Sequence, residues 1–440
     1  MWWALALLLA LCAPASVAGG VFIAAQDPRV RWQGRTELLA GGAVRFDWPA
    51  VAAYLSLNNT GSVTLNVTSE TAGLNRAITH VFVGGYAYEQ TRQWVAPGAN
   101  ALVVAQNIYG ETSLRVFFEL EPAFNGAGAD AGYVVQGFTL DAGDAVQQAP
   151  RAHALEIVGD SISAGYGALG QGGGCPVMDY TSGNFGTYNR LICDFFDAEC
   201  SVVAWSGKGM YQNCCDDGEA MPAYFLQTRG GESFSTSWDF ARFVPDAIIV
   251  NLGTNDFNHD NGTAWEAAFS SVYASFVINA TARYGRPSMP VFVAQGNMNN
   301  GAALFGALQV VVAAVNAAGG NAHYLDLRAG PTDGCGGHPG VLGHAAMFAA
   351  SKASIANATG WSWRYGAGFI EAGNDAAPPM TNTTLADAEA ACLGIATCVG
   401  VTFAGNVPIP AGAIPLVYLK NVSGVSPAVG WQSYLALARL

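Results

Sequence analysis

Residues 155–163 read Leu-Glu-Ile-Val-Gly-Asp-Ser-Ile-Ser, and this stretch decides the architecture. A short apolar run stops at Gly159, an Asp-Ser pair follows, and Ile162 opens the next element. Four similar runs recur downstream: Ser201-Val202-Val203-Ala204-Trp205, Ala247-Ile248-Ile249-Val250-Asn251-Leu252, Val291-Phe292-Val293-Ala294 and Tyr324-Leu325-Asp326-Leu327. Between them lie helical stretches, in one of which Trp265, Ala268, Phe269, Val272, Tyr273, Phe276 and Ala280 step by three or four. Alternating strand and helix predicts an α/β fold with a parallel sheet covered on both faces. Ligands of such open sheets sit beyond the carboxyl ends of the strands.

The residues that follow the strands carry the chemistry. Ser161 comes directly after the first, at the start of a helix where its own N–H can face an anion. Ser206-Gly207-Lys208-Gly209 follows the second, and Gly207 can present a bare N–H. Gly253-Thr254-Asn255-Asp256 follows the third, where the Asn255 amide can donate to an oxyanion. His338-Pro339 follows the fifth after a Gly-rich loop, within reach of Ser161 as a general base. Singly, these are a helix cap, a turn glycine, an Asx turn and a loop histidine. Jointly they supply nucleophile, anion donors and base on one sheet edge. His338 and His344 match no helical zinc spacing, so no metal is expected. Gly165, Gly167 and Gly170 spell G-x-G-x-x-G, but the strand ends six residues before Gly165, too far for a dinucleotide turn. They read as a flexible site loop, and no cofactor is expected. The elbow G-x-S-x-G is absent.

The flanks differ in pattern. Residues 20–148 hold alternating runs such as Val44-Arg45-Phe46-Asp47-Trp48, Val63-Thr64-Leu65-Asn66-Val67-Thr68 and Leu114-Arg115-Val116-Phe117-Phe118-Glu119-Leu120, punctuated by Gly, Asn and Pro. They predict an antiparallel β-sandwich. Residues 145–151 read as a linker. The α/β domain spans 149–362, and 363–440 read as a small α+β module.

The chain of 440 residues is 51% hydrophobic, which excludes disorder, and its net charge of −13 disfavours nucleic acid and anionic membrane as partners. Residues 1–19 read as a signal peptide ending in small residues near Ala18, although no Lys or Arg precedes the apolar core. No segment is expected to span a membrane; residues 302–318 are interrupted by Gln309 and Asn316 and read as a buried helix. Eight cysteines remain beyond Cys12, and seven N-x-[ST] sequons are present, which predicts a secreted, disulfide-bonded glycoprotein. Short loops favour Cys193–Cys200 and Cys392–Cys398. The pairing of Cys175, Cys214, Cys215 and Cys335 is left open.

Taken together, Gly159-Asp160-Ser161, Gly207, Gly253-Thr254-Asn255-Asp256 and His338-Pro339 resemble the four blocks of the SGNH (GDSL) hydrolase superfamily. Trp32-Gln33-Gly34-Arg35, the 44–48 run, Trp238-Asp239-Phe240 and Pro245-Asp246 resemble the two-domain acetyl esterases of carbohydrate esterase family two. The likeness covers roughly residues 25–360. It implies a jelly-roll sandwich joined to a flavodoxin-like, three-layer esterase domain. It also implies Ser161 as nucleophile, His338 as base and an oxyanion hole of Ser161, Gly207 and Asn255. The superfamily often has an Asp three residues before the histidine, where this chain has Cys335. Asp333 or a backbone carbonyl would then orient the imidazole, the carbonyl being favoured. Gly337 replaces a frequent aromatic. The C-terminal module loosely resembles PAN/apple domains, which implies binding of sugar or protein; a stabilising extension is the alternative.

The expected function is therefore removal of acetyl groups from an acetylated xylan- or mannan-type polysaccharide or oligosaccharide. A catalytically silent carbohydrate-binding protein and a sialate or lipid esterase of the same superfamily are the alternatives.

Overall fold

The computed structural model describes residues 20–435 apart from 71–74, 84–85, 109, 120, 122–131, 231–235, 259–262, 300, 362–363, 368, 371–374, 385–386, 389–390, 393–394, 396, 399, 405–413, 421–424 and 427–430. The signal-peptide reading of 1–19 lies outside the described residues, as do parts of the C-terminal module.

Alternation does what it should in the N-terminal part. Along Ser62–Ser69 the apolar Val63, Leu65 and Val67 are buried while the polar residues between them stay partly exposed. Two antiparallel six-stranded sheets form. One runs Glu37–Leu38, Val44–Phe46, Tyr133–Leu140, Ser62–Ser69 and Gly98–Gln106, with Val21–Ala24 paired to Tyr133–Leu140. The other runs Asp144–Val146, Ala52–Asn58, Glu111–Phe118, Asn75–Val83 and Tyr86–Val95, with Arg31–Gln33 paired to Ala52–Asn58. Buried residues of both sheets join one apolar cluster, including Phe46, Leu65, Val135, Leu55, Leu114 and Val116. The start of the supposed linker belongs to the second sheet, because Ala145 is buried against Leu57 of the neighbouring strand.

The five apolar runs form one parallel sheet. Its order is Ala198–Ala204, His153–Gly159, Ala247–Asn251, Pro290–Gly296 and Asn321–Leu327, so the chain winds 2-1-3-4-5. The winding direction reverses beside the first strand, and the crevice of such a sheet opens at its carboxyl end. Helices Thr263–Arg283, Ala302–Ala317 and Val341–Thr359 connect or follow the strands. Helix Ala302–Ala317 is not fully buried: Leu304, Leu308, Val311 and Val315 face inward at helical spacing, while Val310 is 57% exposed. Among the described residues no helix is long and apolar enough to cross a membrane.

Buried ion pairs join the two parts. Arg35 is fully buried, and its Nη2 lies 3.0 Å from Glu156 Oε1 on the first parallel strand while its Nη1 donates to the carbonyls of Phe225 and Gln227. Arg115 reaches Asp194 at 3.0 Å, and a partly exposed pair, Arg31 with Glu199, lies at the same join. Breaking one partner of such a buried pair typically costs about 3–5 kcal/mol. A third, antiparallel sheet follows the last long helix: Arg364–Ala367, Trp431–Leu435, Gly400–Ala404, Ile414–Lys420 and Met380–Thr383. It shares an apolar cluster with the parallel sheet, and Lys352 Nζ donates to the Cys398 carbonyl. The disulfides are Cys175–Cys335, Cys193–Cys200, Cys214–Cys215 and Cys392–Cys398.

Candidate active site

Ser161 stands at the carboxyl end of the central strand His153–Gly159 and opens the one-turn helix Ser161–Ala164. Asp160 caps that turn, its Oδ1 accepting from the Ile162 N–H at 3.0 Å. The Gly165 and Tyr166 N–H groups close the turn on the Ser161 carbonyl, each at 3.0 Å. A side chain at Gly159 would collide with Ser163, so the glycine is dictated by packing. Burial pushes the Asp160 carboxyl up to about 7.

His338 Nε2 lies 2.9 Å from Ser161 Oγ, although 177 residues separate the two. Its Nδ1 lies 3.2 Å from the Gly336 carbonyl. A carbonyl can only accept, so Nδ1 carries the proton and Nε2 is left to accept from the serine hydroxyl. Burial of the ring lowers the imidazole below its ordinary range, against the opposing pull of the backbone carbonyls. Asp333, considered above as the orienting carboxylate, does not take this place. Its Oδ1 instead accepts from the Gly340 N–H at 3.1 Å, so it braces the loop beyond the histidine. The histidine loop is anchored by Cys175–Cys335 and by the Cys335 N–H on the Gly167 carbonyl, 3.0 Å. Gly167 and Gly170, read above as part of a flexible loop, are packing positions. A Cβ on either would strike Cys335, so these glycines form the seat on which the histidine loop packs.

Gly207 takes φ +80°, the left-handed conformation that suits glycine, and its carbonyl accepts from the Cys214 N–H at 3.0 Å. Asn255 is 8% exposed, and its Nδ2 donates to the Lys208 carbonyl at 2.8 Å. Asp256 accepts from three consecutive N–H groups, those of Met210, Tyr211 and Gln212, at 2.7–2.9 Å. The loops after the second and third strands are thereby locked together. Lys208 pairs with Asp216 at 3.1 Å.

Ser161, Gly207, Asn255 and His338 all line one cleft of about 450 Å³. Several lining residues escape a reading of the sequence. Tyr166 places its ring 5.0 Å from the His338 ring. The disulfide of adjacent Cys214 and Cys215 forms part of the wall. Met298 and Asn299 follow the fourth strand, the one whose carboxyl end carried no motif. Ser206 is held by Glu121, a residue of the N-terminal part. Among the described residues no cluster of three or more His, Cys, Asp or Glu is arranged to hold a metal ion. His344 is fully buried, and burial holds its imidazole down at about 3.

Comparison with known proteins agrees with this geometry. Residues 157–346 match the GDSL-like lipase/acylhydrolase family. The chain is 27% identical over 222 residues to the cellulase/esterase CelE of Acetivibrio thermocellus, a match covering 48% of this chain and 26% of that protein. It is 30% identical over 117 residues to an acetylxylan esterase/glucomannan deacetylase of Cellvibrio japonicus, covering 26% of this chain and 32% of that one. The chain thus matches a third or less of the length of these relatives. Among solved structures, a carbohydrate esterase family 2 enzyme with a carbohydrate-binding domain from Corynascus thermopiles superposes with a TM-score of 0.62 at 25% identity, covering 76% of this chain and all of that one.

Proposed function

We propose, on the premise that residues 157–346 are a GDSL-like lipase/acylhydrolase domain, that this protein is a secreted serine esterase removing acetyl groups from polysaccharide. The observation that carries the reading is the 2.9 Å contact between Ser161 Oγ and His338 Nε2, with Nδ1 already engaged by a carbonyl. His338 takes the hydroxyl proton as Oγ attacks the ester carbonyl. The tetrahedral oxyanion is received by the N–H groups of Ser161 and Gly207 and the Asn255 amide; losing one such donor typically costs about 2.7–4 kcal/mol of barrier. The intermediate collapses, the imidazolium protonates the departing sugar oxygen, and acetyl-Ser161 remains. Water activated by His338 then releases acetate and restores the serine. Ser161 and His338 work here as a dyad, with the Gly336 carbonyl in the place of a carboxylate.

The cleft wall supports a sugar ester over a long-chain lipid ester. Ser206, Asp216, Thr254, Asn255, Asn258 and Asn299 offer hydrogen bonds to a hydroxyl-rich ligand, whereas an acyl chain needs a wall of apolar side chains. The likeness to an acetylxylan esterase/glucomannan deacetylase supports the same choice, and the four disulfides support an exported protein. The test measures p-nitrophenyl acetate, butyrate and octanoate hydrolysis and acetate release from acetylated xylan and glucomannan. The expected result is a preference for acetyl esters and a loss of turnover in Ser161→Ala. Equal rates for wild type and Ser161→Ala leave only a binding role, and a preference for octanoate points to a lipid substrate.

A further inference from the structure

Glu121 lies just beyond the strand Glu111–Phe118 of the N-terminal sheets, is only 8% exposed, and faces the loop after the second strand of the parallel sheet. Its Oε2 accepts from the Ser206 N–H at 2.5 Å, and its Oε1 accepts from the Ser206 hydroxyl at 2.6 Å. One carboxylate therefore holds one residue twice. That residue immediately precedes Gly207, and the N–H assigned above to the oxyanion belongs to the peptide linking them. The same turn is tied on either side of this clamp. The Trp205 N–H donates to the Gly159 carbonyl at 3.2 Å, and the Gly207 carbonyl accepts from Cys214. Between these two ties, the direction of the Ser206–Gly207 peptide depends on what Ser206 holds.

We propose that Glu121 is a positioning residue for the oxyanion hole: by clamping the backbone and hydroxyl of Ser206, the N-terminal sheets aim the Gly207 N–H at the reacting carbonyl. The inference rests on the esterase reading and deepens it. It gives the N-terminal part a place in turnover besides any role in binding glycan. It also accounts for Ser206, a second serine in the cleft wall: its hydroxyl proton is committed to Glu121, so it does not compete with Ser161 as nucleophile. A carboxylate suits the task because both its oxygens accept, and Ser206 offers two donors. Donors aimed in advance are what lower the barrier for a tetrahedral intermediate, and a displacement near 1 Å costs up to about 100-fold.

The test compares Glu121→Gln and Glu121→Asp in the full chain, with p-nitrophenyl acetate as substrate and melting temperature as a check on folding. Gln keeps the length of the side chain. It accepts from the Ser206 N–H and donates to the hydroxyl, which turns to receive it. Its kcat is expected within about threefold of wild type. Asp keeps the carboxyl group but draws it back by one methylene, so kcat is expected to fall about tenfold or more while KM stays within about twofold. Amide hydrogen exchange in the 205–209 segment should rise in Glu121→Asp and not elsewhere in the parallel sheet. The proposal is overturned if Asp matches wild type, if Gln is worse than Asp, or if exchange in this segment is unchanged. A wild-type protein that hydrolyses no ester defeats the esterase reading instead, and the exchange measurement still decides whether Glu121 holds the loop.

Discussion

Ser161 and His338 meet at 2.9 Å but are held there by different physics. The turn at 159–165 is closed by its own hydrogen bonds, with Asp160 holding Ile162, Ala164 donating to the Asp160 carbonyl at 2.9 Å and Gly165 returning to Ser161, and it is braced from outside by the Asn184 and Asn189 amides on the Ser163 carbonyl. It also leaves a strand at the middle of the sheet, so its place follows from the sheet. The histidine loop also has local bonds, Gly334 N–H to the His338 carbonyl at 2.8 Å and His338 N–H to the Cys335 carbonyl at 3.3 Å, but it follows the edge strand rather than a central one. It is tied to residues 167–175 by the Cys175–Cys335 disulfide, which spans 160 residues. Three hydrogen bonds reinforce it: Cys335 N–H to Gly167, Gly336 N–H to Cys175 at 3.2 Å, and Gly337 N–H to Gly173 at 3.0 Å. The proposed nucleophile is placed by the central strand and the proposed base by a covalent tie to a distant segment, so damage to that tie should fall on catalysis before it falls on the fold.

Removing either partner outright is the largest expected effect. Ser161→Ala and His338→Ala should each lower kcat by at least about 1000-fold with little change in melting temperature, measured on p-nitrophenyl acetate. Unequal losses of several orders of magnitude would mean that the two do not act as a unit.

The disulfide tie is next. Cys175→Ser combined with Cys335→Ser should lower kcat by about 10- to 100-fold, because the base loses its seat. Stability measured by denaturant titration should fall by about 2–5 kcal/mol. The matched removal of Cys193–Cys200, which closes a short loop away from the cleft, should leave kcat within about twofold. If both pairs have the same effect on kcat, the contrast between the two regions fails.

Protonation of the base gives a smaller change. Burial lowers the His338 imidazole below its ordinary value of 6.5, and only the neutral ring can accept the serine proton. The acid limb of kcat/KM should therefore have its midpoint below pH 6.5 and fall about tenfold per pH unit under it. A midpoint above that value would contradict a largely desolvated ring whose Nδ1 faces a carbonyl.

The smallest effect expected is that of Asp333→Asn. The amide oxygen can still accept from the Gly340 N–H, so kcat should stay within about twofold. In enzymes whose carboxylate does orient the base, the same change costs about 10⁴-fold. A loss of that size would restore Asp333 as a third member of the site.

Much of this was legible in the chain. Apolar runs of strand length separated by helical periodicity announced the parallel sheet, and the motifs bearing Ser161, Gly207, Asn255 and His338 were legible because each follows one of those runs. Arg35 was visible only as part of a resemblance. Its contact with Glu156, buried at the join between the N-terminal sheets and the parallel sheet, gives that motif its physical sense. Other parts left no readable mark. Gly165, Gly167 and Gly170 looked like a loop that moves, since nothing local says that Cys335 will rest against two of them. Asn299 follows a strand with no motif at its end. Glu121 sits in a segment whose pattern speaks only of strands.

The amino-acid sequence by itself determined the alternating strands and helices, the capped serine turn and the residue types at the strand ends, because each is set by side-chain periodicity and hydrogen bonding within a few positions. Only the tertiary structure decided that a carbonyl rather than Asp333 faces His338, which cysteines pair around the cleft, and that Glu121 reaches Ser206. The cysteine tie spans 160 residues and the Glu121–Ser206 contact 85, and such contacts exist only once packing of the whole chain has brought the segments together.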